Sequence, residues 1–467
     1  MVFSSLTFLF FYLTLILLLY FVSPTKMKNM IILVSGMFFY AWGEPFYIVI
    51  MILSTIIDYT AGRMMDKFDD NPKARKVFLL VSVCMNIGLL AVFKYSSFII
   101  TNINDLFGVS VFNPKLALPI GISFYTFQSM SYTIDLYMRN IKVQKSIISF
   151  TSYVTLFPQI VAGPIVRYED VANEIDYRTI TTDKVAEGIG TFVKGLAKKV
   201  LLANNIGLVW TQIKVMDYAN ISVLTAWVGI LAFTFQIYFD FSGYSDMACG
   251  MGRMLGFKFP QNFNYPYISK SISEFWRRWH ITLGSWFRSY VYIPMGGNRK
   301  GLAKTLRNLI VVWFLTGLWH GASWNFILWG MYFGVLIIIE RLGFGKVLEK
   351  LPSAVSRLYT FFMVVIGWVF FDVDGLSPAF QYIKAMFGAS GKIIDTSSKY
   401  LLISNIIIFA VCIVASSQLI KKTHEKLSLM KHNIVQYFIP VVQLVVLIMC
   451  TAYLVDATYN PFLYFRF

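Results

Sequence analysis

The sequence predicts an all-α polytopic membrane protein, and three observations predict it. Mean hydropathy is +0.63, with 57% hydrophobic and only 14% charged residues among 467. Soluble domains carry about 25% charged residues, so this balance excludes them. Apolar runs long enough to cross a bilayer follow one another along the chain. Between several of them stand short basic clusters, at 63–76, 139–145, 298–307 and 421–431. The 41 basic and 24 acidic residues give a formal charge of +17. Placed in such clusters, that charge reads as cytoplasmic loops under the positive-inside rule and not as a nucleic-acid surface.

The apolar runs cover 4–23, 29–59, 77–100, 117–138, 146–166, 186–213, 221–257, 309–339, 354–373, 400–420 and 433–455. The first lacks a basic leader and is longer than a signal core, so we expect a retained span. The second is long enough for two helices broken near Trp42-Gly43-Glu44-Pro45. Together the runs predict roughly 11 to 13 helices, spanning or re-entrant. The clusters do not alternate cleanly with the runs, which is why some must be re-entrant or interfacial. No fixed-period repeat, low-complexity tract or soluble domain is visible. We expect one membrane-embedded domain over 1–467: N-terminal helices at 1–138, a core at 139–345, and C-terminal helices with an aromatic tail at 346–467. Cys84, Cys249, Cys412 and Cys450 lie in or beside apolar runs without a CxxC pair, so buried thiols are expected and a zinc site or disulfide framework is not.

Five stretches carry chemistry. Leu309 to Ile339 holds no Asp, Glu, Lys or Arg over 31 residues, with His320 at its middle between Trp319 and Gly321. About 20 residues cross a bilayer core, so this run can hold an imidazole deep in apolar surroundings, where ionisable groups are functional candidates. The alternative is a helix seam, because Gly317-x-x-x-Gly321 is a small-xxx-small spacing. Ile272 to Arg288 lays Phe275, Trp276, Trp279, Leu283, Trp286 and Phe287 on one helical arc, with Glu274, Arg277, Arg278 and Arg288 opposite. That pattern predicts an interfacial amphipathic helix with its aromatics toward lipid, and His280 on its border.

Asp240 and Asp246, beside Gln236 and Ser242, are costly in an apolar region unless paired. Arg253 and the arginines after Ile272 are the expected partners. Gly296, Gly297 and Gly301, with Arg299, Lys300 and Lys304, can present N–H groups and charge to a phosphate, or form an ordinary basic turn. Pro158 and Pro164 interrupt their run near Gln159, which becomes a candidate lining residue.

These residues together resemble the membrane-bound O-acyltransferase family, closest to its bacterial branch typified by alginate O-acetylation proteins. The resemblance rests on LPIGISFYTFQSMSY at 118–132, LFPQIVAGPIVRY at 156–168 and QIYFDFSGYSDMACGMGRMLGF at 236–257. The block 262–301, NFNYPYISKSISEFWRRWHITLGSWFRSYVYIPMGGNRKG, and LTGLWHGASWNFILWGMYFG at 315–334 are its most specific parts. The resemblance implies a helical fold around a central tunnel, with His320 as the intramembrane catalytic histidine and His280 as the second histidine of the motif. It implies acetyl-CoA as donor substrate and no bound cofactor. It also implies a polysaccharide acceptor outside the cytoplasmic membrane and an extracytoplasmic SGNH-type acetyltransferase as partner.

Acyl transfer from a thioester to a hydroxyl needs a base, which neutral imidazole supplies near pH 7, and donors aimed at the developing oxyanion. Trp319, Ser323 and Asn325 are the candidate donors, with Gln159, Asp240 and Gln236 as further tunnel candidates. Arg277, Arg278, Arg299 and Lys300 are candidates for the donor's phosphates. The ending Phe462-Leu-Tyr464-Phe-Arg-Phe467 resembles the C-terminal motif of the small membrane partner in teichoic-acid D-alanylation systems. That likeness makes Tyr464 a candidate acyl relay. Two alternatives stand beside this reading. One is D-alanyl or other acyl transfer toward teichoic acid from a carrier-protein thioester. The other is a transporter, which the broken helices near Pro158 and Pro164 also suit.

Overall fold

Polar backbone groups in an apolar slab must bond within their own segment, and helices meet that demand. The computed structural model describes residues 1–423, 434–456 and 462–463. The protein is 76% helical and, among the described residues, contains no strand. Among the described residues, six helices are long and apolar enough to cross a membrane, or seven if a pair bent by 53° at Asn405 counts as one span. This is a multi-pass all-α membrane protein. The remaining apolar runs form shorter helices, among them Thr7–Val22. The chain folds as two compact units, residues 1–192 with 244–260, and residues 193–243 with 261–463.

In the first unit, the helix over Thr7–Val22 is held by rings: Phe8 lies 4.9 Å from Phe3 and Tyr12 meets Phe157 edge-on at 5.4 Å. The second apolar run breaks after Gly43, and helix α1 (Ile48–Lys67) resumes beyond Pro45. Helix α2 (Pro72–Leu90) starts from Asn71, whose side chain accepts from Ala74 N–H, with Pro72 at the first helical position. Helix α3 (Ile122–Tyr137) is buried almost throughout although it carries Gln128, Ser129, Ser131, Thr133 and Asp135. At Gly62, α1 presses on the Tyr132 ring of α3, where a Cβ would stand 2.8 Å from Cε1. Pro158 and Pro164 break their run as expected: one helix ends at Val154, a single turn spans Phe157–Ile160, and 161–167 is not helical.

The second unit takes residues 223–243 of the long helix α4 (Val223–Met254). The segment 272–288 is not one interfacial helix. It breaks at Trp279-His280 into α5 (Ile272–Arg278) and α6 (Ile281–Phe287). Its aromatic face turns into protein and not toward lipid: Phe275, Trp279, Leu283, Trp286 and Phe287 are all buried. The run 309–339 is likewise two helices. Helix α7 (Leu302–His320) ends at the histidine, and helix α8 (Trp324–Ile339) turns back along it. Glycines let the antiparallel pair approach backbone to backbone. A Cβ at Gly317 would stand 2.4 Å from Phe326 O, and one at Gly330 2.4 Å from Trp313 O. Helix α9 (Ser353–Asp372) then packs on α8 through Phe333, whose ring lies under Gly367. Of the cysteines, Cys412 and Cys450 are buried and Cys249 half-buried. Cys84 is exposed on the outer face of α2, so burial is not general.

Candidate active site

His320 closes the tip of the α7–α8 hairpin and is 2% exposed. Its ring is walled by aromatic faces and edges, with Trp329 at 4.8 Å, Trp319 at 5.0 Å and Phe371 at 5.4 Å between centroids. Trp329 comes from α8, across the hairpin, and Phe371 from α9. The ring of His280 stands 6.4 Å from that of His320, and Trp319 lies 5.8 Å from His280. Two histidines 40 positions apart in sequence thus share one apolar enclosure.

The second histidine is held by backbone geometry as well as by packing. His280 takes a left-handed conformation, φ 45° and ψ 52°. That costs a non-glycine residue about 1–2 kcal/mol and needs compensation from its surroundings. The segment around Asn262 supplies it. Ile281 N donates to Asn262 O at 3.0 Å and Asn264 N to Arg278 O at 2.9 Å. The Asn262 side-chain oxygen accepts from Thr282 N at 3.3 Å and Thr282 Oγ1 at 2.9 Å, and lies 3.1 Å from His280 Nδ1. The backbone N–H identifies that atom as an acceptor, so Nδ1 must carry the ring proton, which makes Nε2 the basic nitrogen. On the other face of the ring lies Phe241, edge-on at 4.7 Å.

Helix α5 is fixed at its start by a buried carboxylate. Glu340 accepts from Ile272 N at 2.6 Å and Ser273 N at 2.9 Å, taking two N–H groups that a helix cannot satisfy internally. This end of α5 borders a cavity of about 500 Å³ lined by Lys270, Glu274, Arg277, Glu340, Arg341 and Glu349 among others. Arg277 is exposed and faces it. Arg278 is engaged with Glu274 at 2.8 Å and with Asn264 O. Arg299 and Lys300 are exposed in a glycine turn that Asn308 pins through Gly297 O, and neither lines the cavity.

The other candidates separate. Ser323 caps the start of α8 without a side-chain bond, and Trp319 belongs to the enclosure. Both N–H groups of Asn325 donate to backbone carbonyls at the end of α9, Val373 O at 2.8 Å and Phe370 O at 3.4 Å. Its amide braces α8 against the end of α9. Asp240 pairs with buried Lys199, not with Arg253 or the arginines after Ile272, and its second oxygen accepts from Leu463 N at 2.8 Å. Arg253 pairs with Glu187 instead. Gln236 packs against Gly207. Gln159 is buried in the first unit, donating to Tyr153 O at 2.7 Å. Tyr464, His424 and His432 lie outside the described residues. The seat of Phe462 is described: it is buried, 5.7 Å from Phe241.

Sequence reading missed the tryptophans that complete the enclosure. Trp329 and Trp368 are both 0% exposed, and neither indole N–H finds an acceptor among the described residues. A buried donor left unpaired costs about 1–3 kcal/mol. The uncharged run containing Trp329 was visible, but its orphaned N–H was not.

The fold defines a multi-pass membrane protein. Residues 138–370 match the model of MBOAT, the membrane-bound O-acyltransferase family. The chain is 40% identical over 391 residues to the probable alginate O-acetylase AlgI of Pseudomonas aeruginosa, covering 83% of this chain and 75% of that protein. It is 32% identical over 427 residues to the peptidoglycan O-acetyltransferase of Helicobacter pylori, covering 84% and 80%. A teichoic acid D-alanyltransferase of Bacillus subtilis is 28% identical over 263 residues, 54% of this chain and 66% of that one. The chain belongs to the membrane-bound O-acyltransferase family. It is an acyltransferase, and the transporter alternative gives way to that membership.

Proposed function

We propose that the protein carries acetyl groups from cytoplasmic acetyl-CoA across the cytoplasmic membrane toward hydroxyls of an extracellular or periplasmic polysaccharide. The observation that supports it best is the pair of histidine rings, 6.4 Å apart, in surroundings that exclude water. In this reading His320 takes the proton of the attacking hydroxyl. The oxygen adds to the thioester carbonyl, and collapse of the adduct expels the thiolate, which recovers the proton from His320. The Trp329 indole N–H donates to the oxyanion while it exists. His280, oriented by Asn262, holds the second basic nitrogen beside the reacting hydroxyl. Arg277, Lys270 and Arg341 meet the donor's phosphates in the cavity at the start of α5, with Arg299 and Lys300 as outlying contacts. An SGNH-type partner outside the membrane completes delivery, and Tyr464 relays the acetyl group to it.

The test is acetyl transfer in nanodiscs from labelled acetyl-CoA. His320→Ala should leave the protein inserted and folded but stop transfer, whereas replacing His424 or His432 should not. Normal transfer by His320→Ala removes the assignment. The relay is tested separately: an acetylated Tyr464 in mass spectra supports it, and a fully active Tyr464→Phe variant with no such adduct removes it.

The similarity to a teichoic acid D-alanyltransferase favours a second reading, in which a carrier-protein thioester is the donor. Stable binding of a carrier protein, with no turnover of acetyl-CoA, would select it.

A further inference from the structure

Three helices of the first unit each bring two polar side chains, one turn apart, to a single buried point. They are Ser54 and Asp58 of α1, Ser82 and Asn86 of α2, and Ser129 and Thr133 of α3. Residues at i and i+4 share a helix face, so each pair presents its oxygens together. None of the six is more than 1% exposed. Ser82 donates to Asp58 Oδ1 at 2.6 Å and Asn86 Nδ2 to the same oxygen at 2.8 Å. Ser54 donates to Asn86 Oδ1 at 2.7 Å, and the hydroxyls of Ser82 and Thr133 lie 2.9 Å apart. Ser129 also faces the carboxyl.

Asp58 sits midway along an apolar span, and among the described residues no lysine, arginine or histidine pairs with it. Its Oδ2 is buried with no hydrogen-bond partner. A carboxylate at that depth without a counter-charge is among the costliest groups a membrane protein can hold. The cage around it supplies what a small hard cation needs: one negative charge and several neutral hydroxyl oxygens, from Ser82, Ser129 and Thr133. A divalent ion would be left under-neutralised by a single carboxylate, whereas a monovalent one is matched.

We propose that Asp58, with the hydroxyls of Ser82, Ser129 and Thr133, binds a sodium ion that ties α1, α2 and α3 together. The proposal does not depend on the acyl donor or acceptor. A ligand that binds only the folded state raises its melting temperature in a saturable way. Purified protein in nanodiscs should therefore melt several degrees higher in sodium chloride than in choline chloride of equal ionic strength, with saturation and a weaker response to potassium. Asp58→Asn should remove the difference. Ser129→Ala should move its midpoint to higher sodium concentration, which keeps the test decisive if Asp58→Asn does not fold. Identical melting of the wild-type protein in sodium and choline overturns the proposal, and leaves a neutral carboxylic acid or a trapped water at the same place.

Discussion

Asn262 and His280 fix each other: the amide oxygen lies 3.1 Å from Nδ1 and, by also accepting the Thr282 backbone N–H, determines which ring nitrogen is basic. One side chain therefore sets both the left-handed turn that breaks 272–288 and the tautomer delivered to the enclosure. Asn262→Ala should cost about 1–3 kcal/mol of stability through the donors it strands. It should also lower acetyl transfer by about tenfold or more as the ring loses its orientation. Asn262→Asp keeps the acceptor and adds charge, so it should restore folding and shift the acidic limb of the pH–rate profile upward. Melting curves together with that profile separate a positioning role from a merely structural one.

Stability should itself depend on pH through His280, which lies outside the apolar spans. Burial pushes its imidazole down from 6.5 to about 3. The unfolded chain takes up this proton below 6.5, and the folded chain refuses it until about 3. Its contribution is therefore fully present above 6.5 and falls as pH drops through the window between, by up to about 1.4 kcal/mol per pH unit. His280→Gln should flatten that part of the curve, read as melting temperature between neutral and mildly acid buffers.

Trp329→Phe keeps a ring against His320 but deletes the indole N–H. If that donor serves an oxyanion, kcat should fall by about tenfold to a hundredfold while the melting temperature holds or rises, because a stranded buried donor has been removed. An unchanged kcat assigns Trp329 to packing alone.

The α7–α8 hairpin has no room at its glycines. Gly317→Ala places a methyl group 2.4 Å from Phe326 O, and backbone cannot yield as a flexible side chain would. The helices must splay, at a cost of about 1–3 kcal/mol, and His320 moves with the tip. A fall in melting temperature with a larger loss of transfer is the expected result. Gly88→Ala, where nothing lies within 4 Å of the new Cβ, is the control.

The helical class, the break near Gly43 and Pro45, and the interruption at Pro158 were legible, because hydropathy and proline act locally. The two misread segments show where local reasoning stops. Gly321-Ala322-Ser323 ends α7 inside an unbroken apolar run, so hydropathy passed over a turn that a serine at the start of α8 marks. The break at His280 is imposed by Asn262, 18 residues upstream, against a helical pattern that never falters. Lys199 was the missed signal for Asp240: a lysine inside the run 186–213 is as conspicuous as an aspartate inside the next one. The enclosure's tryptophans become meaningful only once α8 and α9 have placed Trp329 and Trp368.

Breaking the buried pair should be severe. Asp240→Asn takes from buried Lys199 its carboxylate partner, which should cost about 3–5 kcal/mol, whereas a joint apolar replacement of both should recover much of it. Thermal unfolding of the two variants distinguishes a lost charge partner from lost packing.

The same aspartate clasps Leu463, 223 positions further along the chain. A ribosome releases residues in order, so this clasp closes only after nearly everything between has been threaded into the bilayer. A nascent chain interrupted anywhere short of that point carries a buried carboxylate lacking one of its donors, and Phe241 lacks the Phe462 ring beside His280.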